Sequence, residues 1–133
     1  MIVVDTNVIA YLYLPSDFSA QAEQLLKKEP VWVAPALWRS ELRSVLALYV
    51  RKDMLSFEKA YVIQSEAETL LTDAEYQIPS FDILSLVASS RCSAYDCEFV
   101  ALAQRLGVKL VTADKKILEE FPEDTMTLAD AVS

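Results

Sequence analysis

The sequence predicts an α/β domain in which a central parallel sheet is covered by helices on both faces. Short apolar strand patterns alternate with longer helical patterns along the 133 residues, and this alternation is typical of parallel sheets with crossover helices. The chain has a single glycine and is 53% hydrophobic, which disfavours both a turn-rich β-sandwich and a disordered chain. The length fits one domain spanning residues 1–133.

The chain begins with two strand patterns separated by two helices. The run IVV, residues 2–4, is β-branched, as buried parallel strands are. Asn7 is expected to cap a helix over residues 8–14, and a second helix is expected near residues 18–28. The segment VWVAP, residues 31–35, predicts the second strand.

The middle of the chain is mostly helical. Pro35 suits the first turn of a long helix that runs to about Lys52, and Ser56 can cap a helix from residue 57 to about residue 71. Another helix is expected near residues 81–91. This much helix between two strands predicts an inserted helical hairpin.

The last third of the chain returns to alternation. The segment SAYDCEFVALAQRLG predicts a helix that begins near Ser93 or Tyr95 and stops at Gly107. The segments after it predict a strand in VKLVTA, a short helix in DKKILEEF, a final edge strand in TMTL and a frayed turn in ADAV. The sheet is therefore expected to have four to five strands.

The composition excludes several kinds of catalysis. The chain contains no histidine, which removes Ser-His and Cys-His nucleophile pairs, histidine-dependent ribonuclease chemistry and His-ligated zinc. The spacing of Cys92 and Cys97 matches neither a redox motif nor a zinc motif, so both are expected to be reduced and packed. Any chemistry must therefore use carboxylates, hydroxyls, lysine or a metal ion.

The net charge of −8 argues against a non-specific coat on nucleic acid, which usually needs a basic face. It does not exclude nucleic acid, because a divalent cation bound among acids reverses the local field. No apolar run approaches the roughly 20 residues of a membrane span, and Met1 leads directly into a strand pattern without a signal sequence. A cytoplasmic protein without membrane contact is expected.

Two aspartates follow predicted strands. Asp5 comes directly after the first strand, and Asp114 follows the strand KLVTA. Because the carboxyl ends of parallel strands meet at one edge of a sheet, both side chains can face one crevice. Asp114 has an equally good structural interpretation as the cap of the short helix after it, and the two roles are compatible.

Two further acids point inward on predicted helices. At about 100° per residue, Glu41 lies within an apolar arc that includes Leu42 and Val45. The same construction places Asp96 among apolar residues and Glu98 on the solvated side. Asp96 also suits the first turn of its helix for electrostatic reasons alone. A position on the apolar side of a helix does not by itself identify a site residue, because Glu68 also lies on the apolar side of its predicted helix.

One shared crevice explains all four acids. Carboxylates about 4 Å apart repel by roughly 4 kcal/mol at an effective dielectric constant of about 20, and a divalent cation relieves this repulsion. Oxygen ligands alone favour Mg²⁺ or Mn²⁺ over zinc or copper. Metal-activated water attacking a phosphodiester is then the expected chemistry.

Four segments in order and spacing carry a family resemblance: VVDTNVI, SEL, SAYDCEFVALA and LVTADKK. Together they resemble the PIN-domain ribonucleases, especially the VapC toxins of bacterial and archaeal toxin–antitoxin pairs. The resemblance implies a three-layer α/β/α PIN-like (Rossmann-like) domain with an acidic pocket that binds Mg²⁺ or Mn²⁺ and cleaves RNA. It also implies a homodimer and a VapB-type antitoxin that inserts a peptide segment near the pocket.

The resemblance also assigns site residues by motif. It makes Asp5, Glu41, Asp96 and Asp114 the acidic quartet. In that reading Asp5 and Asp96 hold the principal metal ion, while the other two orient metal-bound water or support a second ion. Three polar residues match the supporting positions of the motifs and would orient the carboxylates: Thr6, Asn7 and Thr112.

Other functions fit the sequence less well. A haloacid-dehalogenase phosphatase needs a second aspartate where Asn7 stands, and a response-regulator receiver needs an aspartate closing the strand VWVAP. The stronger alternative is a non-catalytic PIN module that binds a protein partner or RNA. Arg39 and Arg43 are candidates for phosphate or antitoxin contacts, but a solvated helix face is the favoured interpretation of both.

Overall fold

The computed structural model describes all 133 residues and contains a five-stranded sheet. The strand order is β3-β2-β1-β4-β5, and every neighbouring pair is parallel. The strands are β1 (Ile2–Val4), β2 (Trp32–Pro35), β3 (Glu75–Tyr76), β4 (Leu110–Val111) and β5 (Thr125–Met126). The predicted parallel sheet of four to five strands is therefore confirmed.

Eight helices surround the sheet. They are α1 (Thr6–Tyr13), α2 (Ser19–Lys28), α3 (Trp38–Arg51), α4 (Phe57–Leu70), α5 (Ser80–Ala88), α6 (Ala94–Leu106), α7 (Lys115–Glu120) and α8 (Leu128–Val132). Helix α6 packs directly on β1, β2 and β4, and α5 packs on α6. Helix α1 packs on α2 and α3, and α2 packs on α8. The predicted three-layer α/β/α arrangement is confirmed.

The central strands form the middle of the core. Val3 and Val4 of β1 are fully buried between neighbouring strands, and Leu110 of β4 pairs beside Val3. Helix α6 buries a nearly continuous apolar segment, which includes Phe99 and Val100, because it lies against three strands. This rigid centre fixes the strand ends from which the site residues project.

Several local predictions are confirmed. Ser56 caps α4 by accepting a hydrogen bond from the backbone N–H of Lys59. Gly107 ends α6 in the left-handed conformation, with φ of 67°, where a glycine has no steric penalty. The segment TMTL does supply an edge strand, since β5 pairs only with β4.

Other local predictions were wrong. Asn7 does not cap α1; Asp5 does, because its carboxylate reaches the backbone N–H of Thr6 at 2.8 Å. Pro35 is the last residue of β2 rather than part of the following helix, which begins at Trp38. The C-terminal segment forms helix α8 instead of a frayed turn. The helix expected near residues 81–91 is present as α5, although it ends at Ala88.

The helical middle contains both an expected and an unexpected feature. Helices α3 and α4 pack together as the expected hairpin, and β3 then returns the chain to the sheet beside β2. Glu75 of β3 accepts hydrogen bonds from Trp38 Nε1 at 2.7 Å and from the Arg39 guanidinium at 2.6 and 2.7 Å. None of the eight helices is long and apolar enough to cross a membrane.

Candidate active site

The structure brings the four predicted acids together around one cavity. This cavity, of about 460 Å³, is here called the acidic cavity, and its lining residues are Asp5, Thr6, Asn7, Glu41, Ser44, Val45, Asp96 and Asp114. It lies where β1 and β4 end, because Asp5 and Asp114 follow these adjacent strands. Helices α3 and α6 add the other two carboxylates.

Asp5 is held by three hydrogen bonds. Its Oδ1 accepts from the backbone N–H of Thr6 at 2.8 Å, and its Oδ2 accepts from Thr112 Oγ1 at 2.6 Å and from Asn7 Nδ2 at 3.5 Å. Burial raises the pKa of Asp5, and the nearby carboxylates raise it further, while the bonds from threonine lower it. The carboxylate is thus rigidly placed in a position that disfavours its charge.

Glu41 is held in a similar way from α3. Its Oε1 accepts a hydrogen bond from Thr6 Oγ1 at 2.7 Å, which connects the start of α1 to α3. Burial is the main cause that raises the pKa of Glu41; the bond from Thr6 opposes it, and the charges of Asp5, Asp96 and Glu98 add to it. The two inner carboxylates therefore each depend on a threonine hydroxyl.

Asp96 and Asp114 occupy helix starts. Asp96 lies in the first turn of α6, and its backbone N–H donates to Ser93 Oγ at 3.1 Å. Asp114 caps α7 by accepting from the backbone N–H groups of Lys116 at 2.9 Å and Ile117 at 3.1 Å. Only one carboxylate oxygen of Asp114 is used in the cap, so this residue both caps a helix and lines the cavity.

Thr112 lies behind the cavity rather than in its wall. It is fully buried at the end of β4, where its hydroxyl donates to Asp5 and accepts from the backbone N–H of Asp114 at 3.0 Å. One hydroxyl thereby links the two strand-end aspartates. Of the three predicted supporting residues, Thr6 and Asn7 line the cavity and Thr112 contacts Asp5 from outside it.

The donor atoms suit a divalent cation. No lysine or arginine lines the acidic cavity, and the buried Asn7 Oδ1 has no hydrogen-bond partner. No three acidic or cysteine side chains are close enough together to hold an ion among them. Mg²⁺ commonly uses one or two carboxylates and keeps several waters, so a set of oxygen ligands spread around an open cavity fits this ion.

Helical spacing misjudged several charged residues. Glu98, expected in solvent, is half-buried, and burial raises its pKa. Glu68, which passed the same inward test as the site acids, lies outside the cavity and pairs with Arg39 at 3.1 Å. Arg39 is ion-paired with Glu68 and Glu75 while its side chain stays 38% exposed, and Arg43, which is 57% exposed, lies 4.0 Å from Glu68. The solvated helix face expected for these two arginines is therefore present.

Two lining residues were not predicted. Ser44 and Val45 lie one turn beyond Glu41 on α3, so the helical spacing used for Glu41 would have found them. Cys92 and Cys97 are free and buried, as predicted. Burial raises the pKa of Cys92 to about 11, so this residue supplies no thiolate nucleophile at neutral pH.

The fold and the acidic cavity define the class of this protein. Residues 2–123 match the family model of the PIN domain, and the chain belongs to the PIN-domain family. It is also 31% identical over 134 residues to Ribonuclease VapC3 of Pyrobaculum aerophilum, an alignment that covers 91% of this chain and 95% of that protein. Within the family, the chain is therefore of the VapC type.

Two solved structures share the fold. FitAcB from Neisseria gonorrhoeae superposes with a TM-score of 0.76 at 17% identity, covering 97% of this chain and 99% of that one. PAE2754 from Pyrobaculum aerophilum superposes with a TM-score of 0.79 at 17% identity, covering 98% and 92%. At this identity the likeness shows that the three chains share one overall fold.

Proposed function

We propose that this protein is an Mg²⁺- or Mn²⁺-dependent endoribonuclease and the toxin component of a VapBC-type toxin–antitoxin pair. The observation that carries the proposal is the set of four carboxylates around one cavity that no lysine or arginine lines. Buried and neighbouring carboxylates repel one another and raise each other's pKa. A bound cation offsets this electrostatic repulsion. If the four carboxylates had only a structural role, the repulsion would remain uncompensated.

The four acids divide into two pairs in this proposal. Asp5 and Asp96 hold the principal ion, and Glu41 and Asp114 orient water or support a second ion. The ion, when bound, supplies a water of lowered pKa and stabilises the charge that develops on the phosphodiester. The protein itself supplies fixed carboxylate orientations, since both threonine bonds to the inner acids are short, at 2.6 and 2.7 Å.

The supporting residues act through the carboxylates that they contact. Thr112 restrains the rotamer of Asp5, and Thr6 restrains that of Glu41. Asn7 donates to Asp5 and leaves its own carbonyl oxygen, which has no partner within the chain, beside the cavity. Losing such outer contacts commonly costs about 10- to 100-fold in metal affinity or activity.

The similarity to Ribonuclease VapC3 supports a proposal about partners. We propose RNA as the substrate, a VapB-type antitoxin as the inhibitor, a homodimer as the assembly and the cytoplasm as the location. An antitoxin segment that carries a basic side chain would be attracted to the acidic cavity, because the cavity has no cation of its own.

The proposal is tested with purified protein free of antitoxin. We expect Mn²⁺-dependent cleavage of single-stranded or structured RNA that is absent in EDTA and lost in Asp5→Asn. A folded wild-type protein that binds RNA or a protein partner but never cleaves RNA would instead support a non-catalytic PIN module. The acidic composition, with a net charge of −8, gives that alternative its weight.

Metal binding has a separate test. A ligand that binds only the folded state stabilises it by about 2.7 kcal/mol when present at about a hundredfold excess over its dissociation constant. Mg²⁺ or Mn²⁺ should therefore raise the Tm of the wild-type protein and not that of Asp5→Asn. An equal Tm with and without either ion would count against the metal site.

A further inference from the structure

A second cavity adjoins the acidic cavity on the side of α3 and α6. It measures about 300 Å³ and is here called the Tyr95 cavity; its lining residues are Leu37, Ser40, Glu41, Ser44 and Tyr95. Glu41 and Ser44 also line the acidic cavity, so the two spaces share a wall. A ligand chain that passes the four acids can therefore continue into the Tyr95 cavity.

The lining of the Tyr95 cavity is suited to a flat, polar-edged group. Tyr95 is 63% exposed although it is aromatic, and it directly precedes Asp96 in the first turn of α6. Ser40 and Ser44 lie one turn apart on α3 and are both exposed. An aromatic ring offers a stacking face to any base, while serine hydroxyls can donate to and accept from base edges or a 2′-hydroxyl.

The charge around the site favours this mode of binding over phosphate contacts. Neither cavity is lined by lysine or arginine, and the nearby Arg39 is already engaged by Glu75 and Glu68. A single-stranded nucleic acid therefore finds few cations here to neutralise its phosphates. Stacking of a base on an aromatic ring needs no such cation.

We propose that Tyr95 is a stacking platform for one unpaired base of the RNA substrate, next to the acidic cavity. The base lies on the Tyr95 ring with its edge toward Ser40 and Ser44, and this places the adjoining phosphodiester beside Glu41 and Asp96. The inference rests on the proposed ribonuclease function and adds to it a subsite for a single-stranded nucleotide.

The test compares ring variants of Tyr95. Tyr95→Ala should weaken binding of a short single-stranded RNA by about tenfold and raise KM with little change in kcat, because stacking contributes to ground-state and transition-state binding alike. Tyr95→Phe keeps the ring and should stay within about twofold of wild type. Tyr61→Ala is the control, because Tyr61 on α4 is also 63% exposed. This variant should bind the RNA and cleave it with the same KM as the wild type.

An abasic scan makes the test specific to stacking. RNAs that each lack one base should reveal one position at which the wild type loses about tenfold in affinity. At that position the Tyr95→Ala variant should lose nothing further, because the two deletions remove the same contact. Unchanged binding by Tyr95→Ala, equally weak binding by Tyr95→Phe, or additive losses in the scan would each overturn the inference.

Cleavage measured on the same samples separates this inference from the proposed function. Binding that follows the pattern above without any Mn²⁺-dependent cleavage would contradict the nuclease proposal and leave the stacking site supported. Cleavage by the wild type with an unaltered KM in Tyr95→Ala would support the nuclease proposal and reject the stacking site.

Discussion

Two threonine hydroxyls orient the inner carboxylates of the acidic cavity. Thr112 donates to Asp5 at 2.6 Å, and Thr6 donates to Glu41 at 2.7 Å. Each threonine comes from an element other than that of the acid it restrains, so the orientation depends on the assembled fold. Hydrogen bonds to carboxylates are stronger than neutral ones, which makes these two contacts the most direct targets for mutation.

Thr112→Val should impair function more than stability. The substitution keeps the β-branched shape directly after β4 but removes the donor to Asp5, so metal affinity or cleavage rate should fall by about 10- to 100-fold. Thr125→Val is the matched control, because Thr125 is also buried and donates to the carbonyl oxygen of Phe121 at 2.7 Å, away from the cavity. We expect the control to have a lower Tm and unchanged cleavage; equal losses of cleavage in both variants would contradict this role of Thr112.

Asp5→Asn should stabilise the metal-free protein. Burial raises the pKa of Asp5 in the folded state, so the folded protein binds the proton more tightly and loses stability as the pH rises through that pKa. In EDTA at neutral pH, the variant should gain roughly 1 kcal/mol in the free energy of unfolding. The gain should shrink as the pH falls through the folded-state pKa. Urea unfolding at neutral pH and at a pH below the folded-state pKa of Asp5 provides the measurement. A variant less stable than the wild type at neutral pH would contradict this prediction.

Residue roles were only partly predictable from the sequence. The positions of Asp5 and Asp114 follow from the ends of parallel strands, and the position of Glu41 follows from helical spacing. The contact between Thr6 and Glu41 joins residues 35 positions apart, so no local pattern encodes it. Glu98 was misassigned because an ideal helix wheel ignores neighbouring elements. Glu98 is partly buried, and its charge contributes to the raised pKa of Glu41 on α3.

At the scale of elements, some strands are predictable from their own residues, and others depend on contacts with residues distant in the sequence. Strands β1 and β4 are apolar runs whose residues are buried, so the sequence indicates them directly. Strand β3 has only Glu75 and Tyr76, neither of which is buried. It forms because Glu75 binds side chains of α3 and because the chain pairs with β2. Tertiary contacts of this kind leave no period in the sequence.

The bond between Glu75 and Arg39 should give β3 a pH-dependent stability. The hydrogen bond from Arg39 lowers the pKa of Glu75, so this contribution is present above the unfolded-state pKa of about 4.3 and is lost as the pH falls through the folded-state pKa. Glu75→Gln should cost about 1 kcal/mol at neutral pH, allowing for the partly exposed guanidinium, and nothing in acid.

The matched control for Glu75 is Glu119→Gln. Glu119 lies 3.7 Å from Arg91 in a pair whose side chains are both more than two-thirds exposed, and such pairs contribute little. Urea unfolding of both variants at neutral and acidic pH provides the measurement. A cost for Glu75→Gln that persists unchanged in acid would argue against the ion pair as the stabilising contact.

The end of α6 depends on one glycine. Gly107 has φ of 67°, and an added Cβ would meet nothing within 4 Å, so the cost of a side chain is conformational rather than steric. Gly107→Ala should lower the free energy of unfolding by about 1 kcal/mol, and Gly107→Asn should lose less, because asparagine tolerates the left-handed region. Chemical denaturation of the wild type and the two variants gives the free energies of unfolding to compare. Equal stability of all three proteins would contradict this explanation of the helix end.

At the scale of the whole molecule, the net negative charge disfavours binding of the proposed RNA substrate. The chain carries 20 acidic and 12 basic residues, and four of the acids surround one cavity. A polyanionic substrate is repelled by this distribution unless cations are present. We propose that a divalent cation at the cavity and a base-stacking contact beside it together allow such a substrate to bind.

One cleavage measurement tests this account most directly. Asp96 and Asp130 occupy equivalent first-turn positions, where the backbone N–H of each donates to the capping hydroxyl of Ser93 or Thr127 at 3.1 Å. Only Asp96 lines the acidic cavity. With Mn²⁺ present, Asp96→Asn should abolish RNA cleavage by the folded protein, and Asp130→Asn should cleave as the wild type does. Full cleavage by Asp96→Asn would contradict the proposal that these carboxylates form the catalytic centre.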